Sequence, residues 1–132
     1  MKRRGFLNGP VSEVIATMGH TDRVVVCDAG FPVPLGVRRI DLAVTNNLPP
    51  FIDVLRVLLE ELAVERFILA TELRQVSPER HTQVLALLPN IEYDEVPHMQ
   101  VKALARETRA VIRTGDTVPY SNIILVSGVT YA

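Results

Sequence analysis

Met18-Gly19-His20-Thr21-Asp22 leads through Arg23 directly into Val24-Val25-Val26-Cys27-Asp28-Ala29-Gly30. A helix stop followed at once by four small apolar residues, three of them β-branched, predicts a short strand buried on both faces, as in a sheet with helices on each side. The same stretch sets a histidine before that strand and an aspartate after it. Both side chains titrate, and neither is needed for packing a Val-rich strand.

Working outward, Val11, Val14, Ile15 and Met18 recur at helical spacing. Pro10 suits the first turn and Gly19 the stop, so a helix of about three turns precedes the strand. Beyond it, Gly30-Phe31-Pro32-Val33-Pro34 reads as a loop, and the alternation Ile40, Leu42, Val44 as a second strand ending near Thr45. From Pro50, the positions Phe51, Val54, Leu55, Leu58, Leu59 and Leu62 make a wide apolar stripe, the strongest helix signal in the chain. Phe67 to Ala70 follows as a buried strand. Ser77-Pro78 is a cap and first-turn pair for a helix carrying Val84, Leu85 and Leu88, which Pro89 closes. Residues 91–96 read as a strand. His98 opens a further helix through Val101, Leu104 and Ala105. Strands are then expected from Ala110 to about Gly115 and from Ile123 to Val126.

Helices and short apolar strands thus alternate along the whole length without a linker or repeat. This predicts an α/β protein, a three-layer α/β/α sandwich with a mixed, mostly parallel central sheet of about six strands, formed as one domain over residues 1–132. Segments 24–44 and 110–126 each join two strands without a clear helix, which favours a mixed over an all-parallel sheet.

Composition narrows the function classes. The 132 residues are 48% hydrophobic with a mean hydropathy of +0.21, values of a packed globule and not of a disordered chain. Fourteen basic and fifteen acidic residues leave a formal charge of −1, spread without runs, so a nucleic-acid partner is not expected. Met1-Lys2-Arg3-Arg4 is basic but leads into Gly5-Phe6-Leu7-Asn8, not an apolar signal core, and no apolar run approaches about 18 residues. A cytoplasmic protein with no membrane partner is expected. The lone Cys27 falls inside the first strand, where a small buried hydrophobe is the expected role.

Few residues can carry chemistry. Asp28 ends a strand and precedes a Gly-Pro loop, where open α/β sheets bind ligands, although an aspartate there can also just hold the loop backbone. His20, just past a helix C-terminus, could equally serve the last carbonyls of that helix. His98 opens a helix directly after Pro97, where the dipole favours a neutral, hydrogen-bonding imidazole. His81 lies on the polar side of its helix and is expected at the solvated surface. Pro119-Tyr120-Ser121-Asn122 brings a phenol and a carboxamide to the mouth of the last strand, a pair suited to reading hydroxyl groups. Three scattered histidines and one cysteine have no metal-ligand spacing. Phosphate-binding glycine loops and the serine-nucleophile elbow are missing, so no metal and no nucleotide cofactor is expected.

Gly19-His20-Thr21-Asp22, Val25 to Gly30, Arg39-Ile40-Asp41-Leu42-Ala43, and Pro119 to Leu125 continuing to Gly128-Val129-Thr130, taken in order, resemble the D-ribose pyranase family, relatives of the L-fucose mutarotases. The resemblance implies a cofactor-independent isomerase that interconverts the pyranose and furanose forms of D-ribose. Fucose mutarotation and non-catalytic sugar binding are the alternatives. It further implies His20 as proton donor and Asp28, His98, Tyr120, Ser121 and Asn122 as sugar-contacting positions, with Ser121 contributing through its backbone. Lys102, one helical turn after His98, is a weaker candidate. Relatives form closed rings, commonly decamers, with the site near a subunit boundary, so a homo-oligomer is expected.

Overall fold

The computed structural model describes residues 1–132. Its elements run α1 (Gly9–Thr17), β1 (Arg23–Cys27), β2 (Arg38–Asp41), α2 (Phe51–Glu61), β3 (Val64–Ala70), α3 (Thr71–Val76), α4 (Pro78–Leu87), β4 (Glu92–Val96), α5 (His98–Leu104) with a 3₁₀ turn (Ala105–Glu107), β5 (Ala110–Arg113) and β6 (Ile123–Ser127). The six strands form one sheet in the order β2-β5-β1-β6-β3-β4. Pairs β2/β5, β5/β1 and β3/β4 are parallel, whereas β6 is antiparallel to both its neighbours. Five strands therefore point one way and β6 alone the other, giving the mixed, mostly parallel sheet that the sequence predicts.

Strand alternation divides the core. Val24 and Val26 join Phe67, Leu69, Ile112, Ile123 and Leu125 on one face, under Val11 and Val14 of α1, Phe51, Val54, Leu55 and Leu58 of α2, Leu73 of α3 and Val84 of α4. Val25 and Cys27 join Ile68, Val111 and Ile124 on the other, under Phe31, Val101 and Ala105. Period-2 geometry requires this split. Each fully buried Leu, Val or Phe contributes roughly 1.5–3 kcal/mol, so the larger first face carries most of the stability.

Local signals explain most boundaries. Asn8 Oδ1 accepts the Val11 N–H at 2.9 Å and Pro10 enters the first turn, which starts α1. Four fully or nearly buried side chains at helical spacing hold α2. The second strand is shorter and earlier than its alternation suggests, because after Asp41 the chain leaves β5 and turns back through a Thr45–Leu48 bridge. The helix-free links also join strands that are not neighbours: β1 and β2 flank β5, while β5 and β6 flank β1. α3 was not foreseen from the sequence. Only Leu73 of its six residues is buried, too few to generate a helical period. Ser77 makes no side-chain cap bond to α4; its hydroxyl donates instead to the Pro119 carbonyl at 3.1 Å, tying the helix to the loop before β6.

His81 is not solvated surface. It is buried, its Nε2 lies 3.2 Å from Glu95 Oε1, and Tyr93 packs edge-on at 6.4 Å, because β4 closes over the flank of α4 that carries it. Cys27 is fully buried, and burial pushes its thiol up to about 12, so it stays protonated and packs as a hydrophobe.

Among the glycines, Gly115 has the closest approach to neighbouring backbone. A Cβ there would overlap the Thr45 carbonyl oxygen and crowd the Leu48 backbone, none of which is a flexible side-chain end. Gly115→Ala should therefore destabilise the protein by about 1–3 kcal/mol, the usual range for overpacking, read as a lower urea midpoint with an unchanged slope.

Candidate active site

Because β6 runs against the other strands, its N-terminal end lies beside the C-terminal ends of β1, β3, β4 and β5. Asp28 follows β1, His98 follows β4, and Tyr120, Ser121 and Asn122 precede β6. Together with Gly30, Phe31, Pro32, Lys102 and Pro119, the side chains of Asp28, His98, Tyr120 and Asn122 line a cleft of about 250 Å³. Its volume falls just below the ~300–1,000 Å³ of drug-sized pockets, which suits a small polar ligand.

Each side chain is held by local chemistry. Asn122 is 1% exposed, and its Oδ1 accepts the Asp28 N–H at 2.9 Å, clasping the two strand ends together. Asp28 Oδ1 accepts the Gly30 N–H at 3.1 Å. Holding the loop and facing the cleft are thus both done by this aspartate. Burial raises its carboxyl above the usual carboxylate range, against the pull of the Gly30 and Phe31 amides and Asn122. The His98 ring stands edge-on between Tyr120 at 5.0 Å and Phe31 at 6.0 Å. Burial first, and then the Lys102 charge, lower its pKa, with Glu72 opposing. The imidazole is therefore neutral at pH 7, as a helix N-terminus favours. Both Glu72 carboxylate oxygens accept the His98 N–H at 3.1 Å, while Nδ1 is buried without a partner.

The loop before β6 rests on a buried ion pair. Arg80 Nη1 lies 3.0 Å from Asp116 Oδ2, with side-chain exposures of 12% and 1%. Asp116 also accepts the amides of Phe51 and Val118, each at 2.8 Å, and its backbone carbonyl accepts the Ala29 N–H at 2.9 Å. Arg80 Nη1 donates in addition to Ser121 Oγ at 2.8 Å. Ser121 is fully buried and does not line the cleft. Tyr120 has φ +62°, a conformation costing a non-glycine residue of order 1–3 kcal/mol, and this supporting network holds it there.

His20 lies elsewhere. It precedes β1, at the opposite edge of the sheet from Asp28, and the intervening strand makes a separation of about 20 Å within one chain. There it lines a second cleft of about 270 Å³ with Met18, Leu62, Ala63, Gly128, Val129 and others. Its Nε2 is 2.8 Å from Glu65 Oε2. Asp22 fixes the turn behind it, accepting the Gly19 N–H at 2.9 Å and pairing with Arg109 at 3.1 Å; these bonds hold its carboxyl below the usual range. Glu65, Glu72, Arg80 and Asp116 carry no motif at sequence level, since their partners are remote in the chain. No group of three or more His, Cys, Asp or Glu side chains is placed to hold a metal ion. No helix is long and apolar enough to cross a membrane.

This fold is that of a known family. The model of the RbsD / FucU transport protein family matches residues 1–130, and the chain belongs to that family. Among its relatives, a D-ribose pyranase of Coprothermobacter proteolyticus is 50% identical, the alignment covering 99% of this chain and all of the relative. A D-ribose pyranase of Chloroflexus aggregans is 48% identical over the same extents. The structure of Bacillus subtilis RbsD complexed with D-ribose superposes with a TM-score of 0.96 at 42% identity, covering 99% of this chain and 100% of that one. The Streptococcus pneumoniae fucose mutarotase in complex with L-fucose matches at TM-score 0.76 and 18% identity, over 99% and 100% of the two chains, a likeness of fold.

Two measurements test the supporting groups. Arg80→Ala leaves Asp116 buried with only its amide donors; the expected loss is about 3 kcal/mol, the lower end for breaking a buried pair, read by urea denaturation. For His98, a neutral folded form and a protonatable unfolded one mean that acid favours unfolding. Wild-type stability should fall, relative to His98→Gln, as pH drops below about 6.5, and the two pH profiles should run parallel above it.

Proposed function

We propose that the protein is a D-ribose pyranase, a cofactor-independent isomerase that exchanges the pyranose and furanose rings of D-ribose. The observation that carries this is full-length identity of about half the residues to D-ribose pyranases. It is supported by a cleft in which a carboxyl, an imidazole, a phenol and a carboxamide converge. The likeness to fucose mutarotases is one of fold, so ribose is the favoured sugar.

The reaction needs proton transfer and positioning. The pyranose opens when the bond from C1 to the ring oxygen O5 breaks, O5 takes up a proton and the C1 hydroxyl releases one, leaving an aldehyde. Closure through the O4 hydroxyl returns a proton to the carbonyl oxygen and yields the furanose, with no net change in protons or electrons. Acid–base assistance of this kind gives about 10²- to 10⁴-fold, or roughly 3–5 kcal/mol of barrier. Sugar ring exchange already proceeds unaided in water, so this is enough.

In our assignment Asp28, His98, Tyr120 and Asn122 hold the sugar hydroxyls, and Ser121 supports them from below. Lys102, on the cleft wall one turn from His98, joins them. His20 delivers the proton to the ring oxygen. Since β1 separates His20 from Asp28 in one chain, a second copy supplies it, and the active protein is a homo-oligomer, a closed ring with sites at subunit boundaries. Residues 1–132 act as one domain, and a cytoplasmic location follows from the expected place of a sugar isomerase.

Magnetisation-transfer NMR on D-ribose provides the test. Wild-type protein should accelerate pyranose–furanose exchange, and His20→Ala should return it to the spontaneous rate with an unchanged circular dichroism spectrum. Spontaneous rates with wild-type protein would leave a sugar-binding module instead, and faster exchange of L-fucose than of ribose would replace the substrate.

A further inference from the structure

Glu65 is the second residue of β3, and the register against β6 shifts there: Val64 pairs with Ser127 and Arg66 with Val126, leaving Glu65 without an opposite number. It is a bulge residue. Without the bulge, alternation would put its side chain on the same face as Phe67 and Leu69, in the larger core. With it, the carboxylate swings to the sheet edge and meets the His20 ring, Oε2 to Nε2 at 2.8 Å. Bulges commonly re-aim a side chain next to a site. Three further contacts fix the geometry. A Cβ placed on Gly128 would come within 3.3 Å of Glu65 Cβ, so the two backbones lie close; the Gly128 N–H donates to the Ala63 carbonyl at 2.8 Å, and Thr21, at φ +69°, donates its N–H to the Ser127 carbonyl at 2.9 Å. Glu65 and His20 are thus held by opposite sides of the same β6 terminus.

An exposed pair of this kind, with side chains 54% and 43% accessible, does little for stability. Its chemical effect is larger. A carboxylate can only accept, so it selects the imidazole tautomer with the proton on Nε2, and it leaves Nδ1 as the nitrogen free to exchange a proton with a ligand.

We propose that Glu65 is a positioning residue for the ring-exchange reaction: it fixes the His20 tautomer and orientation so that Nδ1 is the atom that carries the proton to the sugar ring oxygen. This rests on the assignment of His20 as the acid–base group. In opening, protonated His20 gives its Nδ1 proton to the ring oxygen as the C1–O bond breaks, the C1 hydroxyl proton passes to water as the aldehyde forms, and Glu65 stays ionised, hydrogen-bonded to Nε2–H throughout.

The experiment compares wild type, Glu65→Ala and His20→Ala by magnetisation-transfer NMR on D-ribose, alongside long-range ¹H–¹⁵N spectra of the histidine rings. The lost pair is exposed and alanine adds no atoms at the close approach of Gly128, so the thermal midpoint should hold. Glu65→Ala should lower kcat about 10- to 100-fold with KM unchanged, the usual scale for a group that orients a functional histidine. Added formate should restore part of that rate by occupying the vacated carboxylate position, and should do nothing for wild type or His20→Ala. The wild-type His20 ring should carry its proton on Nε2 at neutral pH, with an Nδ1–H form emerging in Glu65→Ala. Wild-type kcat in Glu65→Ala beside an inactive His20→Ala overturns the role of Glu65 and leaves that of His20 standing. A wild-type His20 protonated on Nδ1 overturns it independently of any variant. Full activity in His20→Ala removes both.

Discussion

The position of β6 governs the rest of the molecule. It is hydrogen-bonded along both edges and buried on both faces, and it alone runs against the sheet. A central strand in that orientation must enter from the edge where its neighbours end. The connection from β5 to β6 therefore has to turn within the same edge, across the end of β1. Its backbone polar groups cannot all reach water there, and an unsatisfied one costs about 1–3 kcal/mol. Asp116 answers that constraint. Its carboxylate accepts two backbone amides and the Arg80 guanidinium, and Arg80 in turn reaches Ser121.

The cleft is a by-product of the same solution. Once the loop is pinned, Tyr120 is forced into the left-handed region and turns toward His98, and Asn122 is left close enough to accept from the Asp28 amide. The residues that face the cleft are set by groups that do not. Burial then shapes their protonation in opposite senses: the Asp28 carboxyl is raised and the His98 imidazole lowered, so both shift toward their uncharged forms. Burial thus lowers the preference of each group for its charged form, which sets how each can hydrogen-bond a polar ligand in the cleft.

How much of this the sequence discloses depends on the range of the interaction. The strands around Val24, Phe67, Val111 and Ile124 and the helix from Phe51 are legible because apolar periodicity is local. So are Asp28, His98 and Tyr120 to Asn122, since each adjoins a strand end. α3 is too short and too poor in buried residues to leave a pattern. The burial of His81 depends on Glu95 and Tyr93 of β4, whose placement against α4 is set by the fold and not by local sequence. Arg80 with Asp116, and Glu65 with His20, are pairs whose members lie far apart in sequence, so nothing local marks them as partners. Glu65 is hidden twice over, because a bulge is a property of pairing between β3 and β6 and not of either segment.

The most consequential distance is the one along β1. Val24, Val25, Val26 and Cys27 are fully buried in a strand paired on both sides, so neither end can swing toward the other without dismantling the core. A hinge cannot bring His20 to Asp28. If both serve one reaction, as we propose, the chemistry has to be assembled between copies, with one copy's strand-end cleft facing another copy's Glu65–His20 pair. On that proposal activity is tied to assembly, because the proposed sugar-positioning groups and the proposed proton donor stand at opposite ends of β1 in an isolated chain. An arrangement of that kind would differ from a site carried whole on one chain in making catalysis depend on protein concentration.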